Sequence, residues 1–498
     1  MSKSTMARGY SRKDSDVLVS YRYRQEGLGV MKRLTWLLVL IFAAAMGSRP
    51  LAAQGLLGGL LSGTTETATS TLTGVTSAVT GLVSPPQGVI VRTNLGLAGL
   101  QSVCLSNGCT VVKNLDGVEG QLFLVQPQQG LIPDVLASVL QLVDGILDAE
   151  PDQLVVIPLT SNAGPFQTTI PTYLNDQTPL SYYGSVVWDG YVNQPAAWII
   201  ESAKGQSAYQ VSGAGIVADI DTGVDPNHPA LKSVLLPGYD FTRNQPGGSE
   251  MTDLGGATGS ACNSCQAAFV DQHTAAMLDQ HTAAMLDNSA YSAFGHGTEV
   301  MGMIHLVAPT ARLMPLKAFS ADGSGTLSNI LSAIYYAVQN RANVINMSFE
   351  IASNSTELAD AISYAGSNSV ICVASSGNDG EEIVVYPAGL PQVMGVASTN
   401  DLDQRSSFSN YGDQVVWVAA PGENVMTTYP FGTYSVTSGT SFTSPMVAGT
   451  AALLLNVQPN LTPAAAAEAI ADANWIGPNM GYGELDVYLA LTSLEQSQ

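Results

Sequence analysis

Charge is scarce in this chain, and what there is leans one way. Of 498 residues only 12% are charged, with 18 Lys and Arg against 40 Asp and Glu. That density, together with 49 Gly and 25 Pro, excludes coiled coils and charge-rich disorder. Basic residues are scarcer still beyond the amino terminus. Nine of the 18 lie in residues 1–53, leaving 9 basic against 37 acidic residues for the rest. A surface of that sign repels phosphate backbones, which argues against a nucleic-acid partner. The apolar run Leu34–Met46 (LTWLLVLIFAAAM) falls short of the roughly 18–20 residues a spanning helix needs. Cysteine is sparse too: five residues, so at least one is unpaired. What is present is 46% hydrophobic residues, enough for two or three domains with a sizeable core.

The amino terminus has the order of an export signal. Lys32 and Arg33 precede the apolar run, and small residues ending at Ala52-Ala53 follow it. Residues 1–53 are therefore read as an export region, with the signal peptide at 31–53 and Met1 or Met31 as the start. No stable membrane span is expected after cleavage, and the destination is outside the cell or the periplasm. Cys104 and Cys109 bracket CLSNGC, whose Asn107-Gly108 pair signals a hairpin turn closed by a disulfide. Cys372, in an apolar run, reads as an inert core thiol.

Residues 54–87 are a Gly-, Ser- and Thr-rich spacer ending near Pro85-Pro86. From 88 to 158 the pattern predicts a small α+β domain: strands at VIVRTNL and QLFLVQP, a helix at VLASVLQLVDGIL and a last strand at DQLVVIP. A loop-rich segment follows at 159–193. From 194 to 498 apolar strands (GIVADI, ARLMPLKAF, NVINMSF, SVICVAS, VMGVAS, QVVWVAA) alternate with helices near 327–340, 356–367 and 441–456. That alternation predicts an α/β doubly wound, mostly parallel sheet with helices on both faces. An insertion is placed at about 243–292, where DQHTAAML occurs twice in tandem at 271–286.

Three segments carry chemistry. In IVADIDTGVDPNHPAL a buried strand runs into Asp221; in AFGHGTEVMGMI His296 opens a helix between two glycines; in SGTSFTSPMVAGTAALLL Ser441 stands before an apolar helix. A serine hydroxyl needs a base to become a nucleophile, histidine titrates in the right range, and a carboxylate fixes its tautomer. A helix start aims N–H groups at a developing oxyanion. In VASSGNDG, Asn378 can supply a second oxyanion donor from its side-chain amide.

With these four motifs in this order, the chain resembles the subtilisin-like serine peptidases, the subtilases, from about Gln194 to Leu491. The resemblance implies Ser441 as nucleophile, His296 as general base and acid, Asp221 as orienting carboxylate and Asn378 as oxyanion donor. It also implies Val344–Ser348, with Asn346 and Ser348, as a strand edge that pairs with substrate, and Phe349, Glu350, Ser376 and Gly377 at the binding groove. The domain at 88–158 is similar to the family's inhibitory propeptides, especially GILDAEPDQLVVI, which implies a zymogen that blocks its own cleft and cuts the domain off itself somewhere in about 159–190, within a linker and maturation region at 159–193. A monomer is expected, acting on protein or peptide substrates, with its own propeptide as partner and no cofactor for chemistry.

The chain also departs from the family. Glu299 and Met446 stand where the family usually has histidine. Glu350 replaces a common glycine, and if it faces the specificity pocket it implies a preference for Lys or Arg before the cut. Structural calcium belongs to the resemblance, but the long calcium loop is missing because MIHLVAPTARL runs directly into the next strand. His228 and His305 read as packing residues, and the spacing of Cys262, Cys265, His273 and His281 fits no usual zinc site. The competing reading is a fold of this shape that no longer cuts, kept as a secreted scaffold.

Overall fold

The computed structural model describes residues 87–158, 176–258 and 289–497. The export region, the spacer up to residue 86, residues 159–175 of the segment at 159–193, the tandem octapeptide and Cys262, Cys265, His273 and His281 lie outside the described residues.

Each inner strand of the main sheet is apolar on both faces because both faces are covered. Along such strands successive side chains point to opposite sides. Val217, Val373, Val396 and Ala420 join one core with the helices His296–Val307 and Ser444–Val457. Ala218, Ile345, Cys372, Ala397 and Ala419 join a second core with the helices Leu327–Gln339 and Thr356–Ser367. The helix starts are set locally. Thr326 and Ser355 each accept a hydrogen bond from the backbone N–H three residues on, and Pro445 opens the helix after Ser441.

The eight strands lie in the order Gln245–Pro246, Tyr239–Asp240, Arg312–Lys317, Ile216–Asp221, Val344–Met347, Ile371–Ser375, Val393–Thr399, Val418–Pro421. All neighbours are parallel except the first pair. This is the predicted α/β, mostly parallel, doubly wound architecture, with helices on both faces. Strand Ile216–Asp221 sits inside the sheet and ends at Asp221, so the chemistry collects at the carboxyl ends of the central strands.

The amino-terminal part is α+β, as expected, but differs in detail. Four antiparallel strands lie in the order Cys109–Asn114, Leu122–Pro127, Val89–Thr93, Ile146–Pro151. Helices Gly96–Asn107 and Pro133–Leu140 cover one face, with Val89, Val91, Leu100, Phe123 and Leu136 between. Asn107-Gly108 is not a hairpin turn: Gly108, at φ 70°, ends the first helix in the left-handed region, and the Cys104–Cys109 disulfide joins that helix to the next strand. The second helix stops at Leu140 rather than running through VDGIL, because Gly145 turns the chain into strand Ile146–Pro151. The other face of the sheet gives Ile90, Leu115 and Leu122 to the core that contains Ile330 and Ile334.

Two further regions differ from the sequence expectation. The loop-rich stretch to Gln194 carries the hairpin Pro179–Tyr182/Ser185–Trp188, and its Tyr182 and Val187 are buried in the main core. Helix Ser444–Val457 is followed by helices Pro463–Ile470 and Val487–Gln496.

Candidate active site

Asp221 is carried to the site by the end of its strand and is buried, as is His296. His296 opens its helix directly beside that strand end. The approach needs Gly297, because a Cβ there would stand 2.0 Å from the carbonyl oxygen of Gly223. Nδ1 of His296 lies 2.8 and 2.9 Å from the two carboxylate oxygens of Asp221, so the carboxylate holds the ring in one tautomer. Burial pulls the imidazole pKa down, but the charge and hydrogen bond of Asp221 outweigh it and push it up to about 9.

Ser441 sits in the short turn Thr440–Phe442 just before helix Ser444–Val457. The ring of the next residue, Phe442, is 5.6 Å from the His296 ring. The Ser441 hydroxyl is turned to the carbonyl oxygen of Ser348 at 3.4 Å, and among the described residues it makes no hydrogen bond to His296. Ser441 and His296, the expected nucleophile and base, are thus neighbours without a hydrogen bond between them.

Asn378 follows strand Ile371–Ser375. Its Oδ1 accepts from the N–H and the hydroxyl of Thr440 at 3.0 and 2.9 Å, which turns Nδ2 outward. That nitrogen donates to the carbonyl oxygen of Pro158 at 2.9 Å. The amide expected to hold an oxyanion therefore already holds a carbonyl of the chain itself.

The residues expected at the substrate groove divide into two groups. Strand Val344–Met347 is not an edge, since it is paired on both sides inside the sheet. Asn346 is buried, and its Nδ2 donates to Asp219 and to Ser348, each at 2.9 Å. Ser348 donates to the carbonyl of Ser441 at 2.9 Å, and Ser376 is buried with its hydroxyl donating to Asn410. These three side chains brace the site from behind. Phe349 and Glu350 lie against the segment in the groove, with Gly377 beside Glu350: Phe349 shares a core with Val155 and Ile157, and Glu350 forms a β-bridge with Val156. Gly377 is at φ 100°, and a Cβ on it would stand 2.2 Å from Oε2 of Glu350. That carboxylate oxygen is buried without a hydrogen-bond partner; burial, then the charge of Asp379, push the Glu350 pKa up to about 7.

Two contributors escape the motif reading. Strand Ser324–Thr326 pairs antiparallel with Leu154–Val156 and forms the other wall of the groove. Its only sequence signal is the DGSG run between a strand and a helix cap. Glu250, from the inserted region, is buried and bonded to the Thr298 hydroxyl; it also accepts from the Thr222 hydroxyl at 3.2 Å and Gly295 N–H at 2.8 Å. It ties the turn after Asp221 to the start of the His296 helix.

Glu299 and Met446, which depart from the family pattern, and the histidines His228 and His305 make packing or hydrogen-bond contacts within the fold. Glu299 accepts from the Ser435 hydroxyl at 2.7 Å, and Met446 is in the core. His305 meets the Tyr191 hydroxyl at 3.1 Å and His228 the Thr433 carbonyl at 2.8 Å. Helix His296–Val307 passes to strand Arg312–Lys317 through a short connection. Among the described residues, no group of three or more His, Cys, Asp or Glu side chains could hold a metal ion, and no helix is long and apolar enough to cross a membrane.

Several known proteins are similar to this chain. Residues 213–484 match the model of the subtilase family, Peptidase_S8. A thermophilic serine proteinase of Bacillus sp. (strain AK1) is 33% identical over 298 residues, 59% of this chain and 64% of that protein. Thermitase of Thermoactinomyces vulgaris is 33% identical over 263 residues, covering 53% of this chain and 79% of that protein. A subtilisin of Bacillus pumilus is 32% identical over 273 residues, or 54% and 86% of the two chains. A solved cold adapted subtilisin-like serine proteinase aligns at 29% identity and a TM-score of 0.44, over 56% of this chain and 90% of that one.

Proposed function

This chain belongs to the subtilase family and is a serine-type endopeptidase; from that premise we propose that it is exported and made as a zymogen that processes itself. In the proposed reaction the Ser441 hydroxyl leaves the Ser348 carbonyl and gives its proton to Nε2 of His296 as Oγ attacks the scissile carbonyl. Asp221 stabilises the resulting imidazolium, and the Asn378 amide with the Ser441 N–H takes the charge of the tetrahedral oxygen. His296 then protonates the leaving amine, and water resolves the ester by the same route in reverse. The chemistry draws on protein groups without a cofactor.

The observation that carries this reading is the convergence, from separate motifs, of the Asp221–His296 pair and the Asn378 amide around the turn that bears Ser441. Export is supported by the signal pattern at 31–53, and the zymogen by the small α+β layer whose last residues enter the groove. Labelling with a fluorophosphonate tests it: wild type is expected to label and Ser441→Ala not to. Folded, fully processed protein that fails to label would favour the non-cutting scaffold instead.

The Glu350 carboxylate beside Gly377 supports a secondary reading, a preference for Lys or Arg before the cut.

A further inference from the structure

Resting on the self-processing reading above, we propose that the bond broken in maturation is Pro158–Leu159, and that Val155–Pro158 define the register in which this enzyme reads a substrate.

The assignment follows from four contacts in a row. Leu154, Val155 and Val156 pair antiparallel with Thr326, Gly325 and Ser324. Val156 bridges to Glu350 on the opposite wall, so the segment lies as a strand between two others. The N–H of Ile157 donates to the Gly323 carbonyl at 3.0 Å, carrying the pairing one residue further. The Pro158 carbonyl then receives the Asn378 amide at 2.9 Å. An amide held by Thr440, next to the nucleophile, selects the carbonyl that will carry negative charge, and among the described residues that carbonyl is Pro158's. A slip of one residue is opposed because strand side chains alternate. Val155 and Ile157 are each 2% exposed and share a core with Phe319, Leu327 and Phe349, while Val156 is 47% exposed. Moving the register by one would bring Val156 inward and Val155 and Ile157 out.

The step balances within the chain and one water. Oγ of Ser441 bonds to the carbonyl carbon of Pro158 as its proton passes to His296. The bond to the Leu159 nitrogen breaks, and that nitrogen leaves as an amine with the proton from His296. Water, deprotonated by His296, attacks the ester, releasing the Pro158 carboxylate and restoring the Ser441 hydroxyl. The substrate class implied is an extended segment with apolar, β-branched side chains two and four residues before the cut and an uncharged residue accepted at the cut itself.

A time course on the full chain tests this, with intact mass and amino-terminal sequencing of the first fragments formed. Wild type is expected to give one fragment ending at Pro158 and one beginning at Leu159, and Ser441→Ala neither. A first cut at another bond that still needs Ser441 overturns the bond assignment and leaves self-processing standing. No cut, or a cut unaffected by Ser441→Ala, overturns both. The register is tested by Ile157→Asp, which puts a charge in the buried pocket, against Val156→Asp, which puts it in solvent. The first cut is expected to slow by at least about 10-fold for Ile157→Asp and by less than about 3-fold for Val156→Asp. Equal slowing would overturn the register.

Discussion

Thr440 gives both its backbone N–H and its hydroxyl to Oδ1 of Asn378, at 3.0 and 2.9 Å, and so decides which way the asparagine amide points. An asparagine side chain can flip its two ends at little cost. With both Thr440 donors on the oxygen, the nitrogen is committed to the groove.

Asn378→Ala is therefore expected to lower kcat by about 10²–10³-fold with little change in KM, because the donor acts on charge that appears only in the transition state. Thr440→Val keeps the backbone bond and loses the hydroxyl, so a smaller loss of about 3–10-fold is expected. Steady-state kinetics on a peptide substrate check both; a KM effect that dominates in Asn378→Ala would show that the amide binds ground state instead.

The base must be neutral to accept the Ser441 proton, so kcat/KM is expected to fall as pH drops below the His296 pKa, raised to about 9 in this state. Asp221→Asn removes the charge that raises it. The limb should move to lower pH while the rate falls by about 10⁴-fold. A pH profile of the variant that coincides in shape with wild type would exclude Asp221 as the cause. The same shift acts on stability. Because the folded pKa lies above the ordinary 6.5, the pair's contribution is complete below about pH 6.5 and is lost as pH rises to about 9.

Glu350, raised to about 7, is neutral below that pH and charged above it. The ratio of kcat/KM for Lys over Leu before the cut is expected to rise as pH passes through about 7. Glu350→Gln should make the ratio pH-independent. A flat ratio in wild type would remove Glu350 from specificity.

The small α+β layer is held by polar contacts at the starts of two helices. Asp152 accepts from the N–H and hydroxyl of Ser328, and Glu150 accepts from the Ser355 hydroxyl at 2.5 Å. Burial is the main cause raising both carboxyls, Glu150 to about 7. A carboxyl that binds its proton more tightly when docked weakens docking as pH climbs from its ordinary 4.5 through about 7. After the cut, native mass spectrometry is expected to find less of the amino-terminal fragment bound at pH 8 than at pH 5. Glu150→Gln should reduce the difference.

Arg92 supplies the main ion pair across the same contact, with Nε 2.9 Å from Oε2 of the buried Glu357 and a further hydrogen bond to Tyr335. Arg92→Ala leaves Glu357 buried without its cation, so binding of the cut fragment is expected to weaken by roughly 10²-fold. An unchanged affinity, measured by the same method, would mean that the apolar contacts of Ile90, Leu115 and Leu122 suffice.

Asp221, His296, Asn378 and Ser441 stand out as candidates in the amino-acid order because each sits in a short motif whose neighbours set its own backbone: a strand end, a helix start, two turns. The inner strands were legible for a similar reason, since burial on both faces writes a continuous apolar run. Helix Gly96–Asn107 was not, because its glycines and the SNG that ends it carry local turn signals that tertiary packing of Leu100 and Cys104 overrides. Leu154–Val156 read correctly as a strand, but no local pattern tells a strand which partner it takes. That partner, Ser324–Thr326, lies far along the chain, and the pairing puts the Pro158 carbonyl on the Asn378 amide. The sequence by itself thus determined which side chains could do chemistry and which stretches would be strand or helix. Only the tertiary structure decided which of those side chains face the groove and which chain segment fills it, because such contacts depend on residues brought together from distant parts of the chain.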